Sequence, residues 1–145
     1  MSEILLTSFK RSLKLPISFS KYSVAVYQPK GFNYPKLRIF EIVDHTGRWI
    51  RPSNFVKDSD PLISYRDTLY NLYSTRKNSI ENWFNSIIGQ DVALCCWCPY
   101  DRAAQRQLKE HGSFVCHTEV IRYFAKYLGF NLDIDFDRQK MKVLI

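Results

Sequence analysis

The chain lacks any apolar run approaching the ~20 residues that a helix needs to cross a bilayer. Internal repeats, low-complexity tracts and linker-like segments are also missing. The opening stretch MSEILLTSFKRS is too short, and becomes charged too early, to resemble a secretory signal peptide. We therefore expect no membrane attachment and one domain covering residues 1–145.

Cysteine is sparse, at four residues of 145, and three of the four fall within LCCWCPY. Without a signal sequence, few cysteines favour a reducing compartment in which disulfides do not persist. The hydrophobic fraction of 46% and the charged fraction of 24% are typical of a globular chain. The sequence thus predicts a cytoplasmic domain with its thiols reduced.

Acidic residues are scarce in the first two-fifths of the chain. Residues 1–57 hold ten Lys/Arg and three Asp/Glu, whereas residues 58–145 hold eleven of each sign, so the whole net charge of +7 lies in the first segment. A one-sided basic excess is typical of a protein with an anionic partner. A solvated surface that keeps the protein soluble is the alternative explanation.

Strand and helix signals intermix along the chain. Apolar or alternating stretches predict strands within the segments 3–9, 22–29, 37–43, 91–97 and 131–137. Capping residues and apolar stripes predict helices that start near residues 59–61, 78–79, 101 and 113, the last capped by Ser113.

The stretch DVALCCW is apolar almost throughout, as expected of a central strand that is buried on both faces. The predicted fold is α/β, with a mostly parallel central sheet flanked by helices. Ligands of such sheets bind beyond the carboxyl ends of the strands. Thr7 and Ser8 end the first predicted strand, and Cys96 and Cys98 end the central one, so we expect a site there.

The first interpretation of the cysteine cluster is an anion site. A helix capped by Ser113 would carry Cys116 and His117 in its first turn, where the helix dipole favours anions and lowers a cysteine pKa. Arg102 and Arg106 precede that helix and could contact a phosphate. Against covalent chemistry, a buried cysteine is usually an inert apolar residue.

Two other interpretations stay open. Cys96, Cys98, Cys116 and His117 could together bind structural zinc, although their spacing is unusual for that metal. In YQPKGFNYPKLR and GRWIRPSNF, aromatic residues alternate with cations such as Lys30, Arg48 and Arg51, which suits single-stranded nucleic acid or nucleotides. The same aromatics could instead pack beneath loops, or dock a protein partner.

The stretches LLTSF, SVAVYQPKGF, DVALCCW and FVCHT, in this order, resemble the domain-of-unknown-function 488 family. The resemblance covers roughly the whole chain in order and spacing, with residues 44–90 matching only as helical filler, and it implies a compact cytoplasmic α/β domain without supplying a mechanism. Cys96 matches the family cysteine and Trp97 its usual aromatic. Cys98 stands where that family has an acid, and Thr118 where it has arginine.

The sequence favours binding, with or without processing, of a phosphorylated small molecule or nucleic acid at the carboxyl edge of the sheet. A protein-interaction module with core cysteines and a structural zinc domain are the alternatives. No cofactor and no metal are assigned, and whether a reaction is catalysed stays open. Cys116 and His117 are the candidate catalytic residues. The candidate ligand-binding residues are Thr7, Ser8, Lys30, Arg48, Arg51, Cys96, Cys98, Arg102 and Arg106.

Overall fold

The computed structural model of the protein describes residues 2–97, 102–112 and 115–135. This part of the chain forms four strands, β1 Ile4–Ser8, β2 Ser20–Ser23, β3 Val92–Cys96 and β4 Asp133–Asp135. It also forms five helices, α1 Phe9–Ser12, α2 Pro61–Thr75, α3 Lys77–Ser86, α4 Arg102–His111 and α5 His117–Tyr127. Two short 3₁₀ turns lie at Arg38–Phe40 and Pro52–Phe55.

The four strands form one sheet in the order β2-β3-β1-β4. Their pairings are parallel, with Leu6 of β1 opposite Leu94 of β3 in the centre of the sheet. All five residues of β3 are buried, and β2 and β4 lie at the edges. The predictions of a parallel α/β sheet and of a buried central strand in DVALCCW are confirmed.

Different segments cover the two faces of β3. Cys95 packs with Phe9 of α1 in a small apolar cluster on one face. Leu94 and Cys96 face a larger core, which α2, α3 and α5 complete on the other. Because side chains alternate along a strand, a strand covered on both faces must be apolar at every position, and β3 meets that requirement.

The neighbouring strands β1 and β3 send the chain to opposite faces of the sheet. Helix α1 follows β1 directly and covers the Cys95 face. The chain that follows β3 reaches α5, which packs on the Leu94 face. Two adjacent parallel strands that connect to opposite faces leave a crevice beyond their carboxyl ends, so the topology creates a binding position there.

The segment 37–43 is not the strand that its alternating pattern predicts. It contains the 3₁₀ turn Arg38–Phe40, and in the described part of the chain its ladder pairing amounts to one bridge, between Val43 and Trp49. Apolar alternation still buries Phe40 and Ile42, which explains the misleading signal. The strand predicted within 22–29 is also displaced, since β2 covers Ser20–Ser23.

Most carbonyl groups of this segment are bound by side chains, although the Ile42 carbonyl accepts the backbone N–H of Ile50 at 2.8 Å. The Arg76 guanidinium donates four hydrogen bonds across it. The acceptors are the carbonyl oxygens of Arg38 at 3.3 Å, Ile39 at 3.1 Å, Glu41 at 2.7 Å and Val43 at 3.4 Å. The buried Tyr73 hydroxyl donates to the Phe40 carbonyl at 3.1 Å. Two residues of the α2–α3 region therefore hold the segment in place.

One of the predicted capping signals, at Asp60–Pro61, is confirmed, whereas α3 begins at Lys77 with Arg76 as its N-cap residue and no side-chain cap, ahead of the start predicted at residues 78–79. Asp60 caps α2, its carboxylate accepting the backbone N–H of Ile63 at 3.2 Å, and Pro61 occupies the first helical position. Helix α5 begins later than predicted, at His117 with Cys116 as its N-cap residue. The expected cap, Ser113, lies outside the described residues.

No helix in residues 2–97, 102–112 or 115–135 is long and apolar enough to cross a membrane.

Replacing Arg76 by lysine tests the role of its guanidinium. An ammonium group cannot reach four carbonyl groups in a planar fan, so we expect Arg76→Lys to lower the free energy of unfolding by about 1–3 kcal/mol. Urea denaturation followed by circular dichroism measures it. The matched control is Arg48→Lys, an exposed arginine, where we expect a change below about 0.5 kcal/mol. Equal losses of unfolding free energy in the two variants would contradict the stabilising role assigned to the Arg76 guanidinium.

Candidate functional site

A cleft of about 1390 Å³ opens at the carboxyl ends of β1 and β3. Ser8, Cys96 and Trp97 line the cleft at the strand ends, and His117 lines it at the start of α5. Its other described walls come from α1, from the loop after β2, from the 3₁₀ turn Pro52–Phe55 and from α4. The crevice that the topology predicts is therefore a real concave surface.

Cations dominate the described lining of this cleft. It contains a single carboxylate, Glu110, against five Lys/Arg side chains. The five are Lys10, Arg11, Lys14, Arg51 and Arg106, and all are exposed. Like charges in a concave, low-dielectric surface reinforce one another, so the cleft should concentrate anions.

Three of these cations are positioned by an abrupt turn at the end of β1. Ser8 is both the last residue of the strand and the N-cap of α1, and its hydroxyl accepts the backbone N–H of Arg11 at 3.1 Å. No loop separates the buried strand from the short helix. Lys10, Arg11 and Lys14 are thereby placed directly beside the sheet edge.

Aromatic rings form part of the cleft wall. The Trp97 indole N–H donates to the Tyr27 carbonyl at 2.7 Å, and its ring meets Phe9 edge-on with centroids 6.2 Å apart. The Tyr27 ring contacts Trp49, with centroids 5.7 Å apart. The Arg51 guanidinium lies 4.3 Å from the centre of the Trp49 ring, within the range of a cation–π contact.

Trp97 and Tyr27 remain accessible in this arrangement, at 42% and 64% exposure. Because the Trp97 N–H is already bonded, that side chain offers a ligand its ring face rather than a hydrogen-bond donor. An exposed indole held by a hydrogen bond and a ring contact is a fixed stacking surface.

The predicted Cys116–His117 pair is split by the structure. His117 is largely buried at 8% exposure and lies on the cleft. Cys116 is 1% exposed and belongs to the core, and its sulfur lies 2.7 Å from the Thr118 hydroxyl. Since a nucleophile must reach its substrate, this burial does not support Cys116 as a reactive thiolate.

Cys96 and Cys116 lie around the same buried tyrosine. Burial raises the pKa of Tyr73 well above its ordinary value, and the thiols of Cys116 and Cys96 raise it further, although Arg76 lowers it in part. Two sequence-distant cysteines therefore both lie near Tyr73. What they share in the described structure is a core position against Tyr73.

The start of α5 already carries a negative charge. Glu119, in its first turn, is fully buried, and its carboxylate accepts two hydrogen bonds from Arg122, at 3.1 and 3.0 Å. A carboxylate in the first turn uses the favourable end of the helix dipole. The predicted phosphate site at this helix end therefore competes with a charge that the chain itself supplies.

The Cys95 side chain lies on the face of the sheet that α1 covers, opposite to Cys96 and Cys116. Burial raises the pKa of the Cys95 thiol to about 11, although a hydrogen bond with Ser12 lowers it in part. A thiol with this pKa is almost fully protonated near neutral pH. The expectation that Cys95 is a core residue is confirmed by its complete burial.

The structure brings only part of the predicted residue set to the cleft. Those on its lining are Ser8, Arg51, Cys96, Arg106 and His117. Thr7 is 2% exposed within β1, and it and Cys116 are not among the lining residues. Lys30 and Arg48 are exposed but also lie off the described lining. Cys98 and the side chain of Arg102 lie outside the described residues.

The cations of the α1 region are the main site residues that sequence reasoning missed. Lys10, Arg11 and Lys14 follow the polar strand end Thr7–Ser8 at once. That adjacency was the available signal, because a serine cap placed directly after a strand turns the next residues onto the sheet edge.

No group of three or more His, Cys, Asp or Glu side chains suited to a metal ion occurs within residues 2–97, 102–112 and 115–135. The zinc interpretation requires Cys98, which lies outside those ranges, so it stays a prediction.

Alkylation with iodoacetamide tests the burial of the thiols. In a Cys98→Ser variant, we expect Cys95, Cys96 and Cys116 to react at pH 7.5 at least about 100-fold more slowly in the native protein than in guanidinium chloride. Peptide mass spectrometry identifies the labelled residue. Fast labelling of native Cys116 would restore the nucleophile hypothesis.

The pH dependence of stability tests the Cys95 environment. A raised folded-state pKa means that the native protein holds the proton more tightly than the unfolded chain. Its stabilising effect is complete below about pH 9 and is lost as the pH rises toward 11, by about 2–3 kcal/mol. Urea denaturation between pH 8 and 11 measures this fall. A Cys95→Ala variant should show a shallower fall, and identical slopes would refute the prediction.

Comparison with known proteins found no family model, no curated protein and no solved structure that matches this chain, so its resemblance to the domain-of-unknown-function 488 family stays a prediction.

Proposed function

We propose that the cleft binds a phosphorylated, nucleotide-like anion. The observation that carries the proposal is the joint presence of five cationic side chains and several aromatic rings on one concave surface at the carboxyl edge of a parallel sheet. Phosphate groups pair with Lys and Arg, and planar bases stack on aromatic faces. A nucleotide carries both features in one molecule.

In this proposal the phosphate is held by side chains rather than by the start of α5. The buried Glu119 carboxylate in the first turn of that helix, paired with the partly exposed Arg122, already occupies the favourable end of the helix dipole and weakens its attraction for a further anion. Lys10, Arg11 and Arg106 carry full charges on the cleft lining. Arginine also matches a phosphate with two parallel hydrogen bonds.

The base would contact the exposed ring of Trp97 or Tyr27. Apolar groups add to this part of the wall, since Leu13 and Val56 are exposed at 65% and 61% and line the same cleft. A purely inorganic anion would leave these groups in contact with water. An organic phosphate covers them and gains the burial of their apolar area.

His117 is our candidate for proton transfer if the bound compound is processed. Its imidazole lies on the cleft lining, and histidine is the side chain whose ordinary pKa is closest to neutral. The core position of Cys116 leaves it outside this proposal.

A protein-interaction module is the second candidate, because the exposed apolar side chains of the cleft would also suit a peptide. The charge of the described lining favours an acidic ligand in either case. For both candidates we propose a cytoplasmic setting, which the buried, unbridged thiols of Cys95, Cys96 and Cys116 support.

Removal of one cleft cation tests the proposed function. Titration calorimetry with ADP and inorganic pyrophosphate should detect binding to the wild type, and Arg106→Gln should weaken the affinity about tenfold, as expected for one charged hydrogen bond. Arg106 is exposed, so the change should not disturb folding.

The matched control is Arg38→Gln, which removes the same charge from an exposed residue off the described lining. Its affinity should equal that of the wild type. Equal weakening in both variants would mean that net charge alone attracts the anion, and the cleft would lose its assignment.

A further inference from the structure

We infer that the ligand of the cleft is single-stranded nucleic acid, bound through backbone phosphates and stacked bases with little preference for sequence. This inference rests on the proposed function and makes it more specific. Four features of the cleft favour a strand over a single nucleotide: its size, the distribution of its cations, its accessible aromatic rings and the engagement of Gln107 and of the Trp97 N–H.

The first feature is size. Pockets that enclose one small molecule measure about 300–1,000 Å³. The cleft, at about 1390 Å³, exceeds that range. A single nucleotide would leave much of it filled with water, whereas a strand that passes through it would use its full extent.

The second feature is that the cations come from both sides of the sheet. Lys10 and Arg11 belong to α1, which covers the Cys95 face. Arg106 belongs to α4, whose Leu108 packs against the core on the opposite face. Arg51 precedes a 3₁₀ turn whose Phe55 packs against that same core. Cations that flank the sheet edge suit several phosphates in a row rather than one phosphate group.

The third feature is that accessible rings line the same cleft as these cations. Trp97 directly follows β3, and Tyr27 lies in the loop that follows the neighbouring strand β2. Trp49 touches Tyr27 and supports Arg51. A charged groove interrupted by aromatic rings is the usual surface for an unpaired strand, because every base has a face that can stack. In a duplex the bases are already stacked on one another and cannot use these rings.

The fourth feature concerns the side chains that could read a base edge. Of the two amides on the described lining, Gln107 is buried and its oxygen accepts the Val115 backbone N–H at 2.8 Å. The Trp97 N–H is likewise engaged by Tyr27. Sequence is read by hydrogen bonds to base edges, so the engagement of Gln107 and of the Trp97 N–H leaves these two groups unable to discriminate among bases.

Fluorescence anisotropy with 5′-labelled dT2, dT4 and dT8 tests the inference, with unlabelled dTMP and an eight-base-pair duplex as competitors. We expect affinity to rise at least tenfold from dT2 to dT8, and dT8 and dA8 to bind within about tenfold of each other. The duplex should compete at least tenfold more weakly than dT8. The logarithm of the association constant should fall with the logarithm of salt concentration, with a slope near −2 to −3.5 for three to five phosphate contacts.

A pair of tyrosines provides the matched variants. Tyr27 and Tyr123 are exposed at 64% and 53%, and each makes one ring contact, with Trp49 and Tyr70. Tyr27 lies on the described lining, whereas Tyr123 lies on α5 away from it. We expect Tyr27→Ala to weaken dT8 binding about 5- to 100-fold, and Tyr123→Ala to leave it unchanged.

The possible outcomes separate this inference from the function on which it rests. If dTMP or ADP binds as tightly as dT8, the strand hypothesis is overturned while nucleotide binding stands. If the duplex competes as well as dT8, or if Tyr27→Ala binds like the wild type, stacking of unpaired bases is refuted. If neither nucleotides nor oligonucleotides bind, both proposals fail.

Discussion

The burial of β3 between two layers is the constraint on which the rest of the structure depends. A parallel strand with both faces covered needs an apolar residue at every position, and it needs one connection on each side of the sheet. Helix α1 provides the first cover, and α2, α3 and α5 provide the second. The cleft follows from this arrangement, because chain segments that diverge from neighbouring strands leave the strand ends accessible between them.

Sequence patterns predicted the parts of the fold that local chemistry decides. DVALCCW could be assigned to the central strand, and Asp60–Pro61 to a helix start, because burial and capping act within a few residues. The segment 37–43 could not be assigned correctly. Its alternation is real, but Arg76, more than thirty residues away, binds the carbonyl groups that a strand would have paired.

The candidate site was predictable in position and only partly in composition. The carboxyl ends of the first and central strands were expected to meet, and Ser8 and Cys96 lie together on one cleft. The depth of each side chain was not predictable, because it depends on packing between distant segments. Cys116 and His117 are adjacent in sequence, yet one lies in the core beside Tyr73 and the other on the cleft.

The contact between Arg76 and the segment 38–43 has an evolutionary consequence. Every amino acid carries a backbone carbonyl, so the guanidinium would hold this segment along the same path whatever side chains it presented. Phe40 and Ile42 are buried in the core, Ile39 packs against it, and the buried Glu41 pairs with Lys36 at 2.8 Å. The freedom to vary without loss of shape is therefore greatest at the exposed Arg38, which should be the tolerant position of this stretch.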